Sequence, residues 1–202
     1  MSDRTLWKAY AALFVVCTVW GTTYFFLRIG VETFPPFLFS AIRQVSAGVL
    51  LMLVLKLSGN FKMTRYDFIH QAIPGILMIS LGNGLVGWAE RYISSGLAAL
   101  ILSLTPVFTV LLSYISGLDK KRPNWLITLG LFLGSIGIVF IFKDNLGDII
   151  KPEYFWGMVI TFAAGTSWAL GSIYSKFKPS KSNVLTNASI QMFAGGAVLF
   201  MM

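Results

Sequence analysis

The chain has one cysteine, one histidine and eight acidic residues among 202 positions. With Cys17 alone, and inside an apolar run, no intrachain disulfide and no cysteine metal cluster can form. Charged residues amount to 12%, about half the usual quarter of a soluble domain. A mean hydropathy of +0.75 over the whole length leaves no polar half to offset an apolar one. An ordinary soluble domain and a disordered chain are both excluded. What is present instead is apolar bulk, 56% of residues against roughly 45–50% in soluble domains. The net charge of +8 would by itself suggest a nucleic-acid partner. The 16 basic residues, however, lie mostly between apolar runs, where they act as loop anchors. No nucleic acid is expected; the lipid bilayer is. The composition is that of an all-α polytopic membrane protein.

A membrane-crossing helix needs about 20 mostly apolar residues. Seven segments qualify, at about 8–29, 35–57, 68–89, 94–117, 123–143, 153–176 and 183–202. Pro35-Pro36, Asp119-Lys120-Lys121-Arg122-Pro123 and Lys178-Pro179-Ser180-Lys181 punctuate them as stops and starts. The first segment is too long for a signal-peptide core and has no small-x-small cleavage site. No β-barrel alternation is visible, so helices are expected, since they satisfy their own backbone in lipid.

The positive charges set the expected orientation. With the N-terminus cytoplasmic, the inside segments hold Arg4, Lys8, Lys56, Lys62, Arg65, Lys120, Lys121, Arg122, Lys176, Lys178 and Lys181. The outside segments hold only Arg28, Arg91, Lys143 and Lys151. The seventh span runs to Met201-Met202 with no polar flank, a terminus more typical of a truncated product than of a natural stop. A fragment is the expectation.

Spans one and six share a pattern. Phe14, Thr18, Trp20 and Arg28 match Phe162, Thr166, Trp168 and Lys176 at an offset of 148. Gln44, Ala47 and Gly48 then match Gln191, Ala194 and Gly195 at an offset of 147. Five spans separate the copies, and an odd number reverses direction across the bilayer. The pattern therefore predicts an inverted-topology repeat, an architecture that transporters use for alternating access around a midplane site. A second set of five spans would need about 100 residues beyond Met202, which also points to a fragment.

Specific motifs then point to a family. Val19-Trp20-Gly21-Thr22-Thr23-Tyr24, Pro35-Pro36 followed by Arg43, and Gly82-Asn83-Gly84 resemble the EamA family of the drug/metabolite transporter superfamily. So do Ala89-Glu90, Ser95-Gly96-Leu97-Ala98-Ala99, Thr105-Pro106-Val107-Phe108-Thr109 and Ser167-Trp168-Ala169-Leu170-Gly171-Ser172. The resemblance covers essentially the whole chain in the family's order, and is nearest to bacterial inner-membrane transporters of metabolite-exporter type. It implies ten helices, as two inverted five-helix repeats around a central cavity. Residues 5–145 would form the first repeat and 153–202 the incomplete start of the second. One departure is Leu118-Asp119-Lys120-Lys121, where many members carry a glutamate-arginine pair.

Catalysis has little to work with. No carboxylate pair lies at membrane depth, no glycine-rich phosphate loop precedes a helix, and His70 sits near a cytoplasmic helix start, where snorkelling or a loop role is expected. No lysine in span seven could hold a retinal, and no span carries a rhomboid-type serine. Neither an enzyme nor a cofactor is expected.

The candidate substrate-binding or cavity-lining residues are Trp20, Tyr24, Arg43, Asn83, Glu90 and Trp168, with Pro106 as a candidate hinge. Arg43 lies eight residues into its span, about 12 Å along the helix. A central arginine costs about 2.5–3.5 kcal/mol on insertion scales, so it faces protein or water, or snorkels to the headgroups. A cavity-facing Arg43 would suit an anionic substrate group. Glu90 reads as an interfacial residue beside Arg91, as Arg43's ion-pair partner, or as a proton-coupling carboxylate. Asn83 suits a hydrogen bond to substrate or to a neighbouring helix. Trp20 and Trp168 fall mid-span, away from the interfacial belt, as lipid-facing filler or a cavity wall, and Tyr24 shares Trp20's face. Gly75, Gly82, Gly130, Gly134 and Gly137 read as close-packing faces. Pro106 breaks a backbone bond mid-span, as a hinge or a passive kink.

The leading reading is a secondary transporter that moves a small amphipathic metabolite or drug, most often outward, with protons as the candidate coupling ion. A homodimer is left open. The alternative is a non-transporting truncated membrane protein, inert or dependent on a partner.

Overall fold

The computed structural model describes residues 3–117, 125–142 and 151–202. The Asp119–Pro123 break, the Leu118-to-Lys121 departure and the Lys143 charge lie outside the described residues. Seven helices fall where the apolar runs predict them, and no strand occurs among the described residues. In chain order these are α1 (Asp3–Thr33), α2 (Pro36–Leu57), α3 (Arg65–Ala89) and α4 (Ser95–Ile115). They are followed by α5 (Trp125–Phe142), α6 (Pro152–Phe177) and α7 (Val184–Leu199). By length and composition alone, α1 to α4 are each able to cross a membrane, whereas α7 is a shorter apolar helix. The chain is an all-α membrane protein.

Local chemistry fixes the helix ends. Pro36 opens α2, where its missing N–H costs nothing because the first turn has no acceptor to offer. Thr64 caps α3 in a reciprocal box with Asp67, Ser94 caps α4, and Asn183 caps α7 by accepting from the Thr186 N–H at 2.7 Å.

α3 is the central helix, packed along both α6 and α7; α2 packs on α7 and α4 on α6. Its middle, Ile76–Gly84, is π-helical, directly after the buried Pro74. Proline removes a ladder donor, and a π-helical turn shifts the side chains that follow it around the helix axis. The altered pitch presents the Leu77 carbonyl sideways, where it accepts from the Ser167 hydroxyl of α6 at 2.8 Å. The periodicity of the sequence gives no sign of this stretch.

Glycine sets the closest approaches. A Cβ on Gly75 would lie 2.6 Å from the Gln191 carbonyl oxygen, and one on Gly195 would meet the Gly75 carbonyl. Gly82 leaves room for Trp168, whose ring would lie 2.9 Å from an added Cβ. Gly75 and Gly82 thus pack as expected. Gly130, Gly134 and Gly137 do not: a Cβ on any of them meets nothing within 4 Å. The reason is that α5 makes no substantial helix contact among the described residues.

The two ends of the bundle differ. At one end the 58–64 and 178–183 connections are bonded together. Asn183 Nδ2 donates to the Asn60 carbonyl at 2.9 Å, and Ser182 Oγ to the Lys62 carbonyl at 2.8 Å. Asp67, 1% exposed, accepts from Ser180 Oγ at 2.7 Å and from the Lys181 N–H at 3.0 Å. Just inside, His70 Nδ1 and the Tyr174 hydroxyl are 2.7 Å apart, and Gln191 Nε2 donates to Gln71 Oε1 at 2.7 Å. His70 therefore bridges α3 and α6, where the sequence suggests a snorkelling or loop position. At the opposite end, Arg28 Nη1 donates to the Ile93 carbonyl at 3.2 Å, and its Nε lies 3.7 Å from Glu32 Oε1.

Candidate functional site

Two cavities meet at the middle of the bundle. The larger, about 650 Å³, is walled by all the helices except α4 and α5, and the smaller, about 240 Å³, reaches into α4. The larger volume lies inside the ~300–1,000 Å³ range of small-molecule sites. Trp20, Asn83 and Trp168 line both. The Trp20 and Trp168 rings meet edge to face with centroids 5.9 Å apart, the geometry favoured by the aromatic quadrupole. Asn83 lies near the end of the π-helical stretch, which turns its amide toward both chambers.

Tyr24 lines the smaller chamber and Arg43 the larger. Arg43 is the charged side chain of that wall among the described residues, and no ion pair engages it there. Its neighbours in the chamber are apolar or neutral: Val19, Met78 and Met192 supply aliphatic and thioether surface. Gln44 and Gln191 also line the larger chamber. They match one another at an offset of 147 in the sequence, a signal that marks the positions but does not assign them to a site. Gln191 is bonded to Gln71, while Gln44 Oε1 is buried without a partner among the described residues.

The small polar residues beside Trp20 serve the backbone. Thr18 donates to the Phe14 carbonyl at 2.9 Å and Thr23 to the Val19 carbonyl at 2.8 Å. Such bonds satisfy hydroxyls in an apolar helix without any ligand.

Glu90 lines neither chamber. It is 0% exposed, just beyond the end of α3, and both carboxyl oxygens are buried without a hydrogen-bond partner among the described residues. Arg28 and Arg43 both lie within electrostatic reach of it. The direct Arg43–Glu90 ion pair weighed from the sequence is not formed, and the burial does not fit an interfacial position beside Arg91.

Pro106 sits in the first turn of the second half of α4, after a break at Ser103–Leu104. Its missing N–H would have bonded the Leu102 carbonyl four residues back. That oxygen accepts instead from the Thr105 hydroxyl at 2.6 Å. The break is compensated locally, and Ser103 and Thr105 open onto the smaller chamber.

Apolar helices, six of them (α1 to α4, α6 and α7) around aromatic-walled mid-bundle cavities, define a polytopic membrane protein. The chain belongs to the EamA-like transporter family, which matches residues 7–143. It is 33% identical over 200 residues to the "Uncharacterized inner membrane transporter YedA" of Escherichia coli K12, covering 98% of this chain and 63% of that protein. It is 25% identical over 193 residues to the "Uncharacterized transporter YoaV" of Bacillus subtilis, covering 95% of this chain and 65% of that protein. The chain thus spans less than two thirds of the length of these relatives. No solved structure gives a significant match.

Proposed function

We propose that the protein is a secondary transporter of the inner membrane, carrying small amphipathic metabolites or drugs, most often outward, by alternating access. The N-terminus is cytoplasmic, so the bonded 58–64 and 178–183 connections close the cytoplasmic end. The observation that carries the reading is the meeting of Trp20 and Trp168 across one cavity. They are equivalent positions of the sequence repeat, one in 5–145 and the other in 153–202.

The α2–α7 contact supports the same arrangement. A Cβ on Gly48 would lie 2.8 Å from the Phe193 nitrogen, and one on Gly196 would lie 2.9 Å from the Val45 nitrogen. α2 and α7 are thus in close contact through glycines on both helices. An inverted pair of repeats, ten helices when complete, is related by an axis in the membrane plane. Substrate then lies between Trp20, Asn83, Trp168, Tyr24 and Arg43, with the α4 break at Pro106 as a hinge.

The test uses the product of the whole gene, reconstituted in vesicles with a panel of amphipathic carboxylates, amines and neutral compounds. Saturable flux of at least one class, lost in Trp20→Ala and Trp168→Ala, is expected. An absence of saturable flux for every class favours the non-transporting alternative.

A further inference from the structure

Resting on the transporter reading, we infer that the larger chamber takes an organic monoanion, and that the anion moves without a coupled proton, driven by the membrane potential. Three side chains form the recognition site. Arg43 and Gln44 of α2 and Asn83 of α3 line the chamber, and α2 touches the π-helical stretch that carries Asn83. No hydrogen bond or ion pair engages any of these three side chains among the described residues. Gln44 is 7% exposed with Oε1 unpartnered, so its amide has left water without a protein bond to replace it. A guanidinium offers five N–H donors and no acceptor, and each amide offers two more donors. The planar guanidinium fork fits two oxygens of one ligand anion.

The remaining wall sets the body of the ligand and the sign of its charge. Trp20, Trp168, Met78 and Met192 supply aromatic and thioether surface, which suits an apolar ring behind the anionic group. No acidic side chain lines either chamber among the described residues. An ammonium group would therefore meet no counter-charge there. The tryptophan faces attract cations, but beside Arg43 that attraction opposes the repulsion of a full positive charge. Cationic and zwitterionic ligands are disfavoured for the same reason.

The same linings decide the energetics of movement. Their titratable groups among the described residues are Arg43 and Tyr24, and neither side-chain type changes charge near neutral pH. Glu90 is fully buried and lines neither chamber, and His70 is engaged with Tyr174 toward the 58–64 end. A coupling proton thus has no site in either wall. The bound anion carries its own charge from one side to the other, while Arg43 stays with the protein. A potential negative inside the cell pushes such an anion outward. For one charge, the equilibrium distribution shifts about 50-fold per 100 mV. Outward movement then needs no second ion.

Benzenesulfonate, which stays ionised throughout, neutral benzenesulfonamide and cationic benzylammonium are the probes, applied to the product of the whole gene. By titration calorimetry in detergent, the sulfonate is expected to bind about tenfold more tightly than the sulfonamide, and benzylammonium most weakly. The sulfonate affinity should be the same at about pH 6 and pH 8, with no proton taken up or released. Arg43→Gln should remove the preference while leaving sulfonamide binding intact, which also shows that the variant is folded. Arg43→Lys should keep part of the preference. Gln44→Leu and Asn83→Leu should each weaken both probes about fivefold and leave their ratio unchanged. In vesicles at equal pH, a potassium gradient with valinomycin sets the potential. The sulfonate should accumulate on the positive side, up to about 50-fold per 100 mV, and a pH gradient alone should move none. Equal or tighter binding of the sulfonamide or benzylammonium, proton exchange on binding, or accumulation that follows pH and ignores the potential would overturn the inference. The binding selectivity without any flux would uphold the anion site and defeat the transporter reading.

Discussion

The α3–α7 crossing permits a quantitative test of how the core is held. Gly75→Ala would place its Cβ 2.6 Å from the Gln191 carbonyl oxygen and 2.7 Å from the Gln191 Cα. Both are backbone atoms, so no side chain can swing away to make room. Ordinary contact begins near 3.4 Å, so the helices must part by about 0.8 Å. That movement stretches the Gln191–Gln71 bond from 2.7 Å and the Ser80–Gly195 bond from 2.6 Å to the limit of hydrogen bonding. Overpacking of this kind costs about 1–3 kcal/mol, and each strained interhelical bond adds about 0.6 kcal/mol. Replacing glycine by alanine inside a helix returns about 1 kcal/mol. The net loss expected for Gly75→Ala, and likewise for Gly195→Ala, is about 1–3 kcal/mol. Gly130→Ala and Gly134→Ala supply the control, because an added Cβ meets nothing there. These should be neutral or stabilising by up to about 1 kcal/mol. Unfolding of the purified chain by dodecyl sulfate titration from mild detergent measures all four. Wild-type stability in Gly75→Ala and Gly195→Ala, or an equal loss in the α5 pair, would refute the crossing geometry.

Two further outcomes can be checked. With Cys17 replaced, a single cysteine at Lys62 should be shielded from an impermeant thiol reagent in intact cells and one at Lys151 should react; the reverse pattern would invert the orientation. Thr105→Val should destabilise by about 1 kcal/mol by stranding the Leu102 carbonyl. Adding Pro106→Ala should restore the loss, since residue 106 then supplies an N–H to that oxygen, and failure of the rescue would refute the local compensation.

The spans were legible because lipid imposes a single rule, about 20 apolar residues per helix, and breaks such as Pro35-Pro36 are hard to read otherwise. Trp20, Tyr24, Arg43, Asn83 and Trp168 stand out in the sequence because their size or polarity is out of place at mid-membrane depth, and in the structure they line the two chambers. The π-helical turn was not, although Pro74-Gly75 and Gly82-Asn83-Gly84 bracket it, because its apolar residues keep the hydropathy of an α-helix. Nor was the bonding at the 58–64 end, where Asp67, Ser180 and Ser182 find partners more than 100 residues away in sequence. The glycines of α5 misled for the opposite reason. Spacing marks a face that can pack closely, but only a neighbour makes it do so.

The bonds from α3 to α6 and α7 set how firmly α3 is held against them. Four of them join side chain to helix or side chain to side chain: His70–Tyr174, Gln71–Gln191, Ser80 to the Gly195 carbonyl and Ser167 to the Leu77 carbonyl. At about 0.6 kcal/mol each, the average for interhelical bonds in a membrane protein, they total about 2–3 kcal/mol. A gap of a few kcal/mol between two arrangements leaves the minor one populated at about 0.1–10%. These bonds therefore bias α3 toward its present packing without locking it there. Tyr174→Phe and Ser80→Ala each remove one hydroxyl partner and leave the shape of the contact nearly unchanged. Each should raise the open population about threefold, and the pair, placed on different helix contacts, close to tenfold. Amide hydrogen exchange at residues 70–73 and 75 reports on that population, because parting α3 from its neighbours lets water reach the intrahelical bonds that must open for exchange. Unchanged exchange in the double variant would mean that packing alone sets the equilibrium, and that the polar contacts along α3 contribute nothing to it.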